Sequence, residues 1–336
     1  MTNKHIILYY KKHYDQKCSC SYCVNKKGII DSLQKLGYSV YIEKFNCNWP
    51  EYFPADRHFD YAIAYQNKIF GEFMFEADKM PLGVIDFART YFDYIICGSQ
   101  FLYTTWINSG MDEKFLIPAS LGIDTKTFNT DKKPEDVYPN VFKFLAVGAW
   151  QHSHWDDRKG LNKLIKTFKK LFKGNKKVML IIKTNVSAPD GAGAKNIKFI
   201  RENLSEEQMA DLYRSCSTNG AYISLHSGEG FGRTNLEALS CGCDVGSTGW
   251  SGVLDFLTKE NSKLFPYKFK DSSLYENGYY SNNKQPKIVD VDMKEVEKWM
   301  VKVVKKSTII CKNETQKKYG WDSIIKELMK NIKERI

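Results

Sequence analysis

The chain has 336 residues, 43% of them hydrophobic and 26% charged, and its 50 basic against 39 acidic residues give a net charge of +11. This composition excludes an intrinsically disordered chain, and the length suits two domains that each bury a core. No apolar run could cross a bilayer and the start lacks the apolar core of a signal peptide, so we expect a cytoplasmic protein. The positive charge favours an anionic partner, such as a nucleotide, nucleic acid or a membrane surface to which the protein binds peripherally.

The first half of the chain alternates between predicted strands and helices. Residues 5–10 predict a buried strand, which is followed by a helix ending at Gly37 and a second strand from residue 39. A strand, a helix and a strand joined by short connections form the unit from which parallel sheets are built. Further strands are predicted at 61–65, at 94–99 and within 114–129, where a turn-rich stretch ends this half.

The same pattern restarts after a polar stretch over 131–140, whose two prolines are typical of an interdomain linker. Leucine, isoleucine and phenylalanine side chains share one face of a predicted helix over 160–174, which favours packing on a sheet over binding to a membrane surface. These are Leu161, Leu164, Ile165, Phe168, Leu171 and Phe172. The other predicted elements of this half are strands at 142–149, 177–184, 197–200 and 220–226 and a helix at 205–216.

These patterns predict an α/β protein made of two Rossmann-like, doubly wound parallel-sheet domains that face a central cleft. The first domain is expected over residues 1–136 and the second over 141–312. A closing amphipathic helix is expected over 320–336, where it would pack back on the first domain.

The stretch GEGFGRTNLEALSCG, residues 228–242, places glycines and a carboxylate directly before a predicted helix. Glycine lets the backbone approach a ligand closely, and the unpaired N–H groups at a helix start attract phosphate. Thr234 is expected to cap this helix, with Glu237 completing a capping box. Glu229 and Glu237 would then border one anion site and could bind the vicinal hydroxyls of a sugar. The spacing alone equally allows Glu237 to be a simple cap and Glu229 to be solvated.

This stretch resembles the E-x7-E signature of family 4 glycosyltransferases, with Glu229 and Glu237 as the two glutamates. Further segments similar to that family are FEADKMP, FDYIICGSQFL, IPASLGIDTKTF, VGAW…DRKGLNKLIKTF, LSEEQMADLYRSC and DVGSTGWSGVLDFL. The resemblance covers residues 70 to 258 densely. It implies a GT-B fold and a retaining transfer of a hexose or pentose from a nucleotide sugar, with UDP favoured as the nucleotide.

The resemblance also implies roles for individual residues. Glu237 would hold the ribose of the donor and Glu229 the hydroxyls of the transferred sugar, while Arg158 and Lys159 would neutralise the diphosphate. The catalytic candidates are therefore Glu229, Arg158 and Lys159. The candidates for donor binding are Gly148, Gly230, Phe231, Gly232, Arg233, Thr234 and Glu237.

Three departures from the family pattern concern mainly the acceptor side. The glycine pair that often follows the first strand is absent, since no glycine occurs before Gly28. The histidine that often follows the third strand is also absent, and Glu76 or Asp78 is the candidate to border the acceptor instead. The arginine that often follows the VG pair is replaced by Ala149 and Trp150.

Three sequence patterns could be taken for metal sites. Cys18, Cys20 and Cys23 could bind zinc with Cys47 or His13, but no second CxxC pair occurs, and we expect reduced thiols. The DxD pattern ends at Asp292, which is predicted to cap a helix, and the HSHWDD stretch, residues 152–157, is predicted to be a polar loop. We expect no required metal or other cofactor.

The leading hypothesis is thus a glycosyltransferase that moves a sugar from a nucleotide sugar to a glycan, a lipid or a small molecule. The net charge and the aromatic residues of the first half leave a second hypothesis, a transferase that modifies a base in DNA. The third hypothesis is a module that binds nucleotide sugars without catalysis. No stable protein partner is predicted.

Overall fold

A computed structural model describes residues 4–10, 21–46, 59–133, 138–149, 157–187, 191–272, 286–305 and 318–336. The chain divides into two compact units. Unit 1 comprises Met1–Asp124, Tyr275–Lys287 and Lys317–Ile336, and unit 2 comprises Thr125–Leu274 and Ile288–Gln316. Unit 2 thus begins inside the range that the sequence analysis gives to the first domain.

None of the described helices is long and apolar enough to cross a membrane. They are α1 (Ser21–Lys35), α2 (Leu82–Tyr91), α3 (Gln100–Asn108), α4 (Leu161–Phe172), α5 (Glu206–Thr218), α6 (Arg233–Ser240), α7 (Met293–Val304) and α8 (Trp321–Lys333). Helix α8 belongs to unit 1 and lies beside α1, where Ser32 Oγ donates a hydrogen bond of 2.7 Å to Asp322 Oδ1.

Unit 1 contains a six-stranded sheet in the order β2-β1-β3-β4-β5-β6. Its strands are β1 (His5–Tyr10), β2 (Ser39–Lys44), β3 (Phe59–Tyr65), β4 (Lys68–Phe73), β5 (Tyr94–Cys97) and β6 (Leu116–Pro118). All run parallel except β3, which is antiparallel to both of its neighbours, β1 and β4.

The prediction that residues 61–65 continue a parallel series was therefore wrong in direction, and strand β4 was missed. The cause is a two-residue hairpin turn. Gln66 and Asn67 both have left-handed backbones, with φ of 50° and 62°. Two consecutive positive φ angles form the turn whose twist matches paired antiparallel strands. The chain therefore reverses at once after β3 and pairs β4 with it.

Unit 2 contains a fully parallel six-stranded sheet in the order β12-β11-β10-β7-β8-β9. Its strands are β7 (Phe142–Val147), β8 (Val178–Lys183), β9 (Ile197–Ile200), β10 (Gly220–Ser224), β11 (Asp244–Thr248) and β12 (Lys263–Phe265), and β13 (Tyr267–Asp271) pairs with β14 (Lys287–Val291) in a separate ribbon. The chain moves outward from β7 to β9, returns to place β10 beside β7, and then moves the other way. The order of strands therefore switches between β7 and β10.

The core of unit 2 lies largely between this sheet and helices α4 and α7. The predicted apolar face of α4 is confirmed, because its leucine, isoleucine and phenylalanine side chains pack against the sheet and only Leu171 is partly exposed. Phe144 and Ile182 of the sheet and Trp299 of α7 belong to the same cluster. Helix α5, capped by the Ser205 side chain, covers the opposite face of the sheet near β7 and β10.

Candidate functional site

Two loops meet at the carboxyl edge of the unit 2 sheet, between the ends of β7 and β10. One loop carries Arg158 and Lys159 into α4, and the other runs from β10 into α6. Ser227 N donates a hydrogen bond of 2.7 Å to Arg158 O, which ties the two loops together. Gly160 has a φ of 68°, and a side chain there would collide with the Leu225 carbonyl group, so only glycine permits this close approach.

This junction gathers the three predicted catalytic residues. Lys159 Nζ forms a short ion pair with Glu229 Oε1, and Arg158 Nη1 lies 3.7 Å from the same oxygen. Arg158 Nη1 also donates a hydrogen bond of 3.0 Å to Gly228 O. The predicted donor residue Gly148 lies beside this cluster, since a Cβ atom there would be 3.2 Å from Lys159 Cγ. Two cations and one carboxylate are thus held together at the edge of the sheet.

Glu229 is ionised despite its burial, with 12% of its side chain exposed. Burial raises the pKa of this carboxyl, but Lys159 and then Arg158 outweigh that effect and lower the pKa to about 2. The neighbouring loop fixes its backbone, because Glu229 N donates to Ser251 Oγ at 2.9 Å and Glu229 O accepts from Gly252 N at 2.9 Å. Ser251 itself has a φ of 72°, a strained conformation for a residue other than glycine.

The structure corrects the predicted start of helix α6. Gly232, not Thr234, occupies the N-cap position, and its φ of 89° is a conformation that side chains disfavour. Since the chain already turns into the helix at Gly232, Thr234 lies within the first turn. Its hydroxyl accepts a hydrogen bond of 2.9 Å from Tyr222 OH instead of capping the helix. Gly230 and Phe231 precede this turn, and Phe231 is buried against Phe256.

Glu237 does not complete a capping box either, because its carboxylate is directed to other side chains. Tyr213 OH donates to Glu237 Oε2 at 3.0 Å, and Arg233 Nε lies 2.9 Å from Oε1. Only 3% of Glu237 is exposed. Burial raises the pKa of this carboxyl, against the lowering effects of Arg233 and of the Tyr213 hydrogen bond. Arg233 and Glu237 thus form a second charged pair, one helical turn into α6.

His226, which follows strand β10, was not among the predicted site residues. It is fully buried, and its Nε2 lies 3.3 Å from Ser247 Oγ. Burial lowers the pKa of this imidazole to about 4; Lys159 and Arg158 also lower it, and Glu229 opposes them. His226 is therefore neutral at physiological pH. The only sequence signal was its position two residues before the glycine-rich loop.

The acceptor-side candidates lie in unit 1. Asp78 forms a reciprocal pair with Lys287 of the same unit: its Oδ1 accepts from Lys287 N at 2.6 Å and its N donates to Lys287 O at 3.1 Å. This pairing gives Asp78 a structural role in holding the later segment of unit 1. Glu76 is half-buried two residues earlier.

The described part of the chain contains only some residues of the predicted metal patterns. Asp292 caps α7 by accepting from Lys294 N at 2.9 Å, as predicted, and Asp290 pairs with Lys163. Cys23 is buried. The other residues of these patterns lie outside the described part of the chain, as does Trp150; they are His13, Cys18, Cys20, Cys47 and 152–156. Among the described residues, no group of three histidine, cysteine or acidic side chains could hold a metal ion.

Comparison with known proteins identifies the fold. No protein-family model and no curated protein sequence matches the chain. HepE from Anabaena, solved with UDP-glucose, is similar with a TM-score of 0.55 and 14% identity over 92% of this chain and 77% of its own. The lipopolysaccharide outer core galactosyltransferase WaaB gives 0.52 and 16% over 92% and 74%. Sucrose-phosphate synthase from Thermosynechococcus elongatus gives 0.52 and 15% over 72% of this chain and 58% of its own. The two units therefore have the GT-B fold predicted from the sequence.

Proposed function

We propose that this protein is a retaining glycosyltransferase of family 4, which transfers a hexose or pentose from a UDP-sugar to a glycan, a lipid or a small molecule. The observation that carries the proposal is the cluster of Arg158, Lys159 and Glu229 between the ends of β7 and β10. Ligands of open α/β sheets bind outside the carboxyl ends of the strands, where the strand order switches. The presence of UDP-glucose in the HepE structure supports a UDP-sugar as the donor.

The chemistry follows from where the cations lie. When the bond between the sugar and the diphosphate breaks, negative charge develops on the departing phosphate. Arg158 and Lys159 lie beside the loop that enters α6, and the first N–H groups of that helix also favour an anion. Cations that are already in position stabilise this charge without reorganising. We propose that they do so without a metal ion.

The two glutamates would bind the sugars on either side of the diphosphate. Glu229 is fixed as an anion, so it can accept hydrogen bonds from hydroxyls of the transferred sugar. Glu237 would accept from the ribose. Each carboxylate oxygen has two lone pairs, so the contacts with Tyr213 and Arg233 leave an acceptor position on each oxygen.

A matched pair of lysine variants tests the proposal. Lys159→Met removes a cation of the cluster. The control, Lys163→Met, removes a lysine in the first turn of α4 that pairs with Asp290 instead. UDP-sugars, assayed beside GDP-, ADP- and dTDP-sugars, are expected to raise the melting temperature of the wild type and of Lys163→Met but not of Lys159→Met. Turnover of the UDP-sugar should fall about 100-fold or more in Lys159→Met, and it should persist in EDTA.

Each part of the proposal can fail separately. If no nucleotide sugar raises the melting temperature of the wild type, the donor site is wrong. Binding of UDP-sugar without hydrolysis or transfer to any acceptor would instead identify a non-catalytic module. A product whose anomeric configuration is inverted, as read by NMR, would contradict the retaining mechanism, and loss of turnover in EDTA would contradict independence from metals.

A further inference from the structure

A buried lysine ends the strand next to the candidate donor site. Lys183 is the last residue of β8 and lies in register with Val147, the last residue of β7. Gly148 N donates a hydrogen bond of 3.0 Å to Lys183 O, and Gly148 in turn lies against the Lys159 side chain. Lys183 is thus at the carboxyl edge of the sheet. Its strand, β8, is the neighbour of β7, and the strand order switches between β7 and β10.

The side chain of Lys183 lies on the face of the sheet that α6 covers. Its neighbour Ile182 packs into the core beneath α4 and α7, and successive side chains of a strand point to opposite faces. Tyr222 of β10 shares the face of Lys183, and its hydroxyl contacts Thr234 of α6. Strands β10 and β8 are separated only by β7, so roughly 10 Å divides them.

Lys183 differs from the other buried lysines of the described chain in its hydrogen bonds. Lys26 pairs with Asp60 at 2.9 Å, and Lys143 donates to two backbone carbonyl groups. Lys183 is 9% exposed, yet within the described residues its ammonium makes a single long hydrogen bond, 3.4 Å to Thr184 O. An ammonium has three donors, and burying one without strong acceptors is costly. Burial lowers the pKa of Lys183, and the negative charge of Glu202 opposes that effect.

We propose that Lys183 selects the donor nucleotide by donating a hydrogen bond to the base oxygen that an amino group replaces in cytosine and adenine, which is O4 of uracil or thymine and O6 of guanine. This inference rests on the proposed function. In the proposed function the diphosphate is bound by Arg158, Lys159 and the start of α6. Lys183 lies two strands from β10, a distance that the ribose and base of a nucleotide can span from that diphosphate. An ammonium can only donate. It therefore favours uracil, thymine or guanine, which present a carbonyl oxygen where cytosine and adenine present an amino group.

Binding measurements on the whole chain test this role. The dissociation constants of UDP, CDP and inorganic pyrophosphate would be measured by calorimetry for the wild type, Lys183→Met and Lys198→Met. Lys198 is an exposed lysine on the adjacent strand β9, near the Tyr138 ring, so its variant controls for the loss of one positive charge. We expect Lys183→Met to weaken UDP at least about tenfold, to leave pyrophosphate unchanged, and to abolish the preference for UDP over CDP.

The comparison of UDP with CDP in the wild type needs no variant, so a Lys183→Met protein that fails to fold does not block the test. UDP is expected to bind at least about tenfold more tightly than CDP. Equal affinity for UDP and CDP would overturn the inference. So would unchanged UDP affinity in folded Lys183→Met, or an equal loss of affinity for pyrophosphate, which would make Lys183 a phosphate ligand. A wild type that binds no nucleotide would overturn the proposed function as well.

Discussion

The loop before α6 and the first turns of α6 each hold a buried glutamate, but the two carboxylates are in different electrostatic surroundings. Glu229 in the loop faces two cations, Lys159 and Arg158, and the pKa of its carboxyl falls to about 2. Glu237 in the helix has one cation, Arg233, and one hydroxyl donor, Tyr213. There the effect of burial prevails, and the pKa of the Glu237 carboxyl is raised.

The difference shows that the spacing of two glutamates does not determine their ionisation. Both side chains lose most of their contact with water, and the number of nearby cations decides whether the charge is stabilised. The loop site, which is Glu229 with Lys159 and Arg158, therefore stabilises a charged carboxylate between fixed cations. The helix site, which is Glu237 with Arg233 and Tyr213, holds its carboxyl group by an ion pair and a hydrogen bond in a low-dielectric environment. Ionising a carboxyl group costs more free energy there.

A matched pair of isosteric variants should break this comparison most clearly. Glu229→Gln removes a charge that the fold favours, so we expect the free energy of unfolding at pH 7 to fall by roughly 3–4 kcal/mol. Glu237→Gln removes a charge that burial disfavours and keeps an amide oxygen as acceptor, so a loss below about 1 kcal/mol is expected. Urea unfolding at pH 7 measures both values. Equal losses in the two variants would mean that the cations do not distinguish the sites.

His226 provides a second test because it lies close to the loop site alone. The groups that act on its ring are Glu229, Lys159 and Arg158 from the two loops and the Ser247 hydroxyl from β11. The pKa of this imidazole falls from 6.5 to about 4 on folding. Between these values the unfolded chain binds more protons than the folded one. The contribution of His226 to the free energy of unfolding is therefore complete above pH 6.5 and is lost as the pH falls toward 4.

The expected loss across this range is up to roughly 3 kcal/mol, and His226→Gln should lack it. Urea unfolding at several pH values between 7 and 4 would measure both proteins. The difference between wild type and variant isolates the imidazole, since every carboxyl group titrates in both. If the two proteins lose stability in parallel over this range, His226 is not kept neutral by its surroundings.

Most of the elements of unit 2 could be predicted from the sequence, because strands and helices alternate regularly there. The apolar face of α4 and the capping residue Asp292 could be identified from local spacing alone. In unit 1 the direction of β3 depended on the backbone of Gln66 and Asn67, a pair that does not have the usual glycine of a tight hairpin turn. Local pattern could not show that reversal.

The site was predicted as a set of residues, but its pairing was not. The family resemblance implied that Arg158 and Lys159 border the diphosphate. Their contact with Glu229 depends on the close approach at Gly160, because Lys159 and Glu229 are 70 residues apart in the chain. The cap at Thr234 failed for a related reason, because Gly232 adopts a backbone that starts the helix earlier. Burial of His226 is a tertiary property that no local motif signals.

Tyr213→Phe should sharpen the comparison with the smallest change. It removes the hydroxyl that donates to Glu237 Oε2, so we expect a loss of about 1 kcal/mol at pH 7. The pKa of Glu237 is raised already, and without this donor it should rise further. A carboxyl with a raised pKa binds its proton more tightly in the folded state, so its contribution to stability is present at low pH and is lost as the pH rises through the folded pKa.

The loss caused by Tyr213→Phe should therefore be larger at pH 7 than at pH 4.5, where protonation relieves the unpaired carboxylate. Tyr222→Phe is the matched control, because that hydroxyl donates to Thr234 and not to a carboxylate. Its loss should be the same at both pH values. Urea unfolding of the three proteins at the two pH values decides the matter: a pH-independent loss in Tyr213→Phe would mean that its hydroxyl does not stabilise the ionised form of Glu237. The contrast between the two glutamates would then depend on their cations, Arg233 for Glu237 against Lys159 and Arg158 for Glu229.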